Sequence, residues 1–250
     1  GLQSIIVRDI NGDGYCDIFS GFSSSEEEKI PFLLFLYDSE SGIFEDNSEL
    51  IEHNIGQKTS RKIVSADFNS DGILDFVAAS HPEKINEEFS YIDVVISNSF
   101  GWTQETLYAP SRFRQEGYFH GVSVGDVDND GDIDIVVANF HDSEGQFTLL
   151  NDGQANFERT YSINNSELTG EKEAFTNELF DVDSDGCLDL IYAAVNNRNS
   201  IAKIVYGTCD GHFGDRFQMI EKISRYESLF IGPAYETPMD YNFHDIDNDG

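Results

Sequence analysis

A nine-residue pattern, Asp-x-Asp/Asn-x-Asp-Gly-x-x-Asp, occurs four times in full in this chain and begins a fifth time at its end. The copies start at Asp9, Asp67, Asp126, Asp181 and Asp245, so successive copies lie 58, 59, 55 and 64 residues apart. A motif recurring at a nearly constant spacing makes each copy one unit of a repeat architecture, in which neighbouring units stack to bury a shared core.

The residue types at these spacings point to a cation. In Asp126-Val-Asp-Asn-Asp-Gly-Asp-Ile-Asp134, the carboxylates of Asp126, Asp128, Asp130 and Asp134 can converge on one ion. The carbonyl of Asp132 completes the set, and Gly131 permits the left-handed turn that wraps the chain around it. The same roles fall to Asp9, Asn11, Asp13, Tyr15 and Asp17, to Asp67, Asn69, Asp71, Ile73 and Asp75, and to Asp181, Asp183, Asp185, Cys187 and Asp189. Asp245, Asp247 and Asp249 open a fifth set. Only hard oxygen donors are offered. That favours Ca²⁺ over zinc, which takes thiolate and imidazole, and over Mg²⁺, which keeps several waters. Two carboxylates about 4 Å apart repel by roughly 4 kcal/mol at an effective dielectric near 20, so ion binding is expected to be coupled to local folding. The competing reading is that Asp, Asn and Gly simply make tight turns.

An EF-hand is excluded, because it needs a bidentate Glu at position 12 and a helix on each side. Position 12 is Ser20, Ala78, Val137 and Tyr192. The segment after each loop reads as a strand, at 17–22, 75–80, 134–139 and 189–194, and another strand precedes each loop, at 5–8, 62–66, 121–125 and 177–180. A third apolar run appears at 32–37, 92–97, 147–151 and 201–206, succeeded by a Gly- or Asn-bearing turn and an aromatic: Phe44, Trp102, Phe157 and Phe213. Four antiparallel strands per period make one blade of a β-propeller.

The segment 121–157, with its Gly-Val-Ser-Val-Gly-Asp-Val-Asp-Asn-Asp-Gly-Asp-Ile-Asp-Ile-Val-Val-Ala-Asn run and the later Leu-Leu-Asn-Asp-Gly-Gln-Ala-Asn-Phe, resembles the FG-GAP/VCBS repeat family. That family includes the calcium-binding blades of integrin α-subunit propellers and many bacterial secreted or surface proteins. The resemblance implies an all-β, seven- or eight-bladed propeller with Ca²⁺ in the loops between strands one and two. Asn at position 3 of the first two loops departs from the all-acidic set and should weaken those two sites. Blades are expected at about 1–57, 58–116, 117–172 and 173–236, with the start of a fifth at 237–250. The chain is expected to be part of a longer protein, four-bladed closure through a strand at 239–244 being the alternative.

Twenty Phe and eleven Tyr against two Met suit an all-β chain, and no apolar run is long enough to span a bilayer. The formal charge of −32 stays strongly negative even with five divalent ions bound. It argues against nucleic acid and anionic membranes as partners and suits a calcium-rich exterior. The expected location is therefore extracellular or at the cell surface. Among the three cysteines, Cys16 is expected to be a small core residue. Cys187 and Cys209 are expected to be free thiols, with a disulfide between them as the alternative in an oxidising compartment. A sequon stands at Asn164.

No nucleophile elbow, zincin helix or phosphate-binding glycine loop occurs, so no catalytic residue is assigned. The expected function is a calcium-stabilised binding or adhesion module for a protein or carbohydrate ligand on one propeller face. Two alternatives stand beside it: the body of a secreted polysaccharide-processing enzyme such as a lyase, or an architectural part of a surface assembly. Arg, Lys, His and Tyr gathered on one face would favour the enzyme. The Arg- and aromatic-rich segment 112–120 is a candidate contact surface.

Overall fold

The computed structural model describes residues 2–23, 28–80, 90–108, 118–139, 145–161, 174–196 and 199–220. Within them the chain is all-β apart from one 3-10 turn at Ser48–Leu50. The first sheet is a meander of β1 (Leu2–Arg8), β2 (Asp17–Phe22), β3 (Leu33–Asp38) and β4 (Ile43–Asp46), paired in that order. A two-residue strand, β5 (Ile51–Glu52), then crosses to the next sheet, which is built from β6 (Ser60–Ala66), β7 (Asp75–Ser80), β8 (Ile92–Asn98) and β9 (Gly101–Tyr108). There it pairs in parallel with β9, Ile51 opposite Trp102, and covers that sheet's outer edge. The close approach needs Gly101, since a Cβ at that residue would lie 2.3 Å from the Leu50 carbonyl oxygen.

The third sheet is β10 (Phe119–Gly125), β11 (Asp134–Asn139), β12 (Phe147–Asn151) and β13 (Phe157–Tyr161). The fourth is β14 (Thr176–Phe180), β15 (Asp189–Asn196), β16 (Asn199–Gly207) and β17 (Phe213–Ile220). All consecutive strands within a sheet are antiparallel. The first strands β1, β6, β10 and β14 lie side by side. The sheets are therefore the blades of a propeller, ranged round an axis lined by their first strands. A cavity of about 200 Å³ on that axis is lined by residues of all four first strands, among them Ile6, Val64, Val124 and Leu179.

The core is the set of seams between blades. Phe19, Phe32 and Leu34 of blade one meet Ile63, Phe76 and Trp102 of blade two, with Phe19 and Phe76 stacked at 3.8 Å. Val77, Ile92 and Val94 meet Phe119, Ile135 and Phe147 across the second seam, and Val136 meets Leu190, Tyr192 and Phe213 across the third. Strand two of each blade is buried on both faces, which is why 75–80 and 134–139 read as continuous rather than alternating apolar runs. The aromatic after each outer turn packs back onto the preceding blade: Trp102, Phe157 and Phe213 do so, and Phe44 of the first blade is exposed.

Two expectations about cysteine are overturned. Position 8 of the loop also packs backward onto the preceding blade, as Ile133 and Leu188 do. Cys16 holds that position in blade one, with no described blade behind it, and is exposed rather than a core residue. Cys187 and Cys209 are joined as a disulfide, their Cα atoms 5.0 Å apart, instead of standing as free thiols. The β16–β17 turn folds back over the loop of its own blade and brings the two together.

Candidate metal-binding loops

Each acidic loop joins the first strand of a blade to the second, so all four sit at the same end of the propeller. The loops share one internal geometry. In all four, position 1 accepts the backbone N–H groups of positions 5 and 6, and Asp9 also accepts that of Gly12 at 2.9 Å. Asp9 accepts from Asp13 (3.1 Å) and Gly14 (2.9 Å), and Asp67 from Asp71 (3.1 Å) and Gly72 (2.8 Å). Asp126 accepts from Asp130 and Gly131, both at 3.1 Å, and Asp181 from Asp185 (3.1 Å) and Gly186 (3.0 Å). Position 5 in turn accepts the N–H of position 7: Tyr15 on Asp13, Ile73 on Asp71, Asp132 on Asp130 and Cys187 on Asp185, at 2.8 to 2.9 Å.

Two left-handed residues make this curl possible. Position 6 has φ between 86° and 98° at Gly14, Gly72, Gly131 and Gly186, and a Cβ there would touch nothing within 4 Å. Glycine is needed for its backbone freedom and not for space. Position 4 is left-handed as well, at Gly12 (78°), Ser70 (57°), Asn129 (60°) and Ser184 (59°). This second turn has only a faint signal in the sequence, Gly and Asn at two of the four copies, both tolerant of that conformation, and it was not among the expected features.

Position 9 is set apart from the others. Asp17, Asp75, Asp134 and Asp189 are wholly buried at the start of strand two. One oxygen of each accepts the position-2 N–H, from Ile10, Phe68, Val127 and Val182 at 2.8 to 3.0 Å. The other accepts an N–H from strand three or its end, from Tyr37, Ser97, Asn151 and Gly207 at 2.7 to 3.0 Å. Each of these aspartates therefore ties loop, strand two and strand three together. Burial pushes Asp75 and Asp134 up to about 6, against the pull of their backbone hydrogen bonds, and raises Asp189 in the same direction.

The position-2 carbonyl faces the other way, into the next blade. Leu74 N–H donates to Ile10 O (3.1 Å), Ala155 N–H to Phe68 O (3.2 Å) and Gly211 N–H to Val127 O (3.1 Å). Asn151 adds its side-chain amide to Phe68 O at 2.8 Å. The loops are thereby wired blade to blade through backbone groups that the sequence does not mark.

The oxygens of Asp126, Asp128 and Asp130 lie within 4.8 Å of one another, and so do those of Asp181, Asp183 and Asp185. Burial, then the charges of Asp130 and Asp126, raises the Asp128 carboxyl above the usual range. In the first two loops the Asn at position 3 donates its amide to the position-5 carboxylate, Asn11 to Asp13 at 3.0 Å and Asn69 to Asp71 at 3.3 Å. The Asp132 side chain lies against Gly153 in the outer turn of its own blade and outside the cluster, leaving only its main chain for the loop. The partial copy with Asp245, Asp247 and Asp249 lies outside the described residues, as do residues 112–117 and Asn164.

This donor set fits a hard divalent cation. Positions 1, 3 and 5 present converging carboxylate or amide oxygens on a backbone already curled round them, and a bound Ca²⁺ would neutralise charge that the loop otherwise concentrates.

A family profile described as an FG-GAP-like repeat matches residues 9–78 and 126–192, just over half of the chain. The chain belongs to the FG-GAP-like repeat family. Both matched segments of this FG-GAP-like chain begin at position 1 of one loop and end within strand two of the following blade, so each spans a full repeat and the next loop. Among solved structures, the crystal structure of an exotype rhamnogalacturonan lyase, YesX, is similar at 15% sequence identity with a TM-score of 0.48. The match covers 85% of this chain and 40% of that one. Comparison with curated protein sequences finds no match.

Proposed function

We propose that the chain is a calcium-stabilised propeller module of an extracellular or cell-surface protein, presenting a ligand surface on one face. The observation that supports this reading is the convergence of three carboxylates within 4.8 Å in loops three and four, at the same end of every blade. A cation at each loop would hold the first hairpin of its blade, and the position-2 carbonyls would carry that order across the seams. Its role on this reading is structural: positions 1, 3 and 5 bind it, and recognition belongs to surfaces that the stiffened blades display. No helix among the described residues is long and apolar enough to cross a membrane.

One observation supports a second reading, the body of a polysaccharide-processing enzyme. At the end of the blades opposite the loops, Lys29 lies 4.5 Å over the Tyr91 ring, and His120 stacks on Tyr118 (5.7 Å) and meets Phe175 edge-on (5.1 Å), with Arg61 near Tyr118. Cationic and aromatic groups of this kind suit an anionic sugar chain. Thermal unfolding in chelator, millimolar Ca²⁺ or millimolar Mg²⁺ tests the first reading, which requires a shift of several degrees with Ca²⁺ and much less with Mg²⁺. An unchanged midpoint in Ca²⁺ would reduce the loops to turns. Incubation with acidic polysaccharides separates the two readings, since binding without chain cleavage supports the module and cleavage the enzyme.

A further inference from the structure

Loop four differs from the other three in what its own blade places against it. Arg216, on β17, donates a guanidinium N–H to Asp183, the position-3 carboxylate of the cluster Asp181, Asp183 and Asp185. The guanidinium is stacked 3.6 Å over the Tyr206 ring, and Tyr206 is anchored in turn through its hydroxyl on Gln218 (3.2 Å). A second fastener, the Cys187–Cys209 disulfide, ties position 7 of the same loop to the β16–β17 turn. Loop three has neither. Among the described residues no ion pair involves Asp126, Asp128 or Asp130. Loops one and two lie between these extremes, since the amides of Asn11 and Asn69 satisfy part of the position-5 carboxylate, and Ser97 Oγ adds a hydrogen bond to Asp71 at 2.9 Å.

We infer that Arg216 is the resident counter-ion of loop four, and that a divalent cation enters this loop only by displacing its guanidinium from Asp183. The inference rests on the reading of the loops as Ca²⁺ sites and ranks the two loops that carry three converging carboxylates: loop three fills before loop four. The reason is charge. Three carboxylates without a cation gain most from an ion, whereas a cluster already sharing an arginine must surrender that pair first and then tolerate a positive group beside the metal. Arg216 is 60% exposed and Asp183 28%, so the competing pair is a solvated one, worth on the order of 1 kcal/mol, or about fivefold in affinity. The effect is a graded ranking of sites and not a closed gate.

The position-six glycines report each loop separately, because the Gly131 and Gly186 N–H groups donate to Asp126 and Asp181. A Ca²⁺ titration of the ¹⁵N-labelled chain, monitored through these two amides, should move Gly131 at lower calcium than Gly186. In Arg216→Gln the Gly186 midpoint should fall about fivefold while Gly131 is unchanged. Arg216→Lys should stay near the wild type, and Tyr206→Leu, which removes the ring under the guanidinium, should give a smaller shift in the same direction as Arg216→Gln. An unchanged Gly186 midpoint in both Arg216→Gln and Tyr206→Leu, or Gly186 moving before Gly131 in the wild type, overturns the inference and leaves the calcium reading standing. If neither glycine responds to Ca²⁺ in the wild type, the calcium reading falls and this inference with it.

Discussion

Asp128→Asn in loop three should act with opposite signs on the two states of the loop. Without a cation, Asp128 repels both Asp126 and Asp130, with carboxylate oxygens no more than 4.8 Å apart. At that separation a pair costs about 1 kcal/mol in water and about 3.5 kcal/mol at an effective dielectric of 20. Asp130 is exposed and Asp128 half-buried, which places each pair near the lower figure. Removing two pairs should stabilise the chelated protein by roughly 2 kcal/mol, or about 4 to 8 °C in melting temperature at this chain length. The neutral amide keeps an oxygen to accept the Asp130 N–H, now 3.3 Å from Asp128 Oδ1, so the curl survives. With Ca²⁺ present the same change removes a charged ligand, and the calcium-induced rise in melting temperature should shrink. Differential scanning calorimetry in chelator and in millimolar Ca²⁺ reads both effects. A variant that is less stable in chelator would refute the electrostatic argument, because it would mean that the Asp128 carboxylate supports the fold without a cation.

Three further outcomes are expected. Gly131→Ala, at φ 98° with open space around the new methyl, should cost about 1 to 2 kcal/mol from backbone strain alone, measured as a lower urea midpoint with an unchanged slope. Asp75 and Asp134 have folded values near 6, above the unfolded value of about 3.9. Their contribution in chelator is therefore fully present below pH of about 4 and lost as pH rises through about 6. Urea unfolding in chelator should show stability falling over that window, and the stabilisation by Ca²⁺, which needs ionised ligands, should grow over it. Replacing both Cys187 and Cys209 with Ser opens a closed loop of 22 residues' separation and should cost about 3 kcal/mol, seen as a melting temperature lower by about 6 to 12 °C.

Strand positions were legible because each is set by a short local signal. Apolar runs at 17–22, 75–80 and 134–139 coincide with β2, β7 and β11, and their bounding Asp and Gly residues mark where the ladder stops. The first strands extend two or three residues earlier than the apolar pattern suggests, to Leu2, Ser60 and Phe119. Ser60 and Gly121 lie against neighbouring blades, and polar or small residues carry no strand signal until the neighbour is present. The loop residues at positions 1, 3 and 5 were legible for the same local reason, since nine consecutive residues contain both the donors and the left-handed glycine that turns them inward.

By itself, the sequence determined the repeat, the order of strands within each unit and the oxygen-rich chemistry of the loops, all of which depend on backbone preferences within a few residues. Tertiary structure decided what each loop is fastened to. The tie of position 9 to strand three spans 17 to 22 residues, Gly211 reaches Val127 from the next blade, and Cys209 and Arg216 come to loop four because one hairpin folds back over it. Such contacts join groups whose separation along the chain carries no periodic signal. They exist because stacking blades around an axis brings the outer turn of one unit onto the loops of its own blade and of the one before.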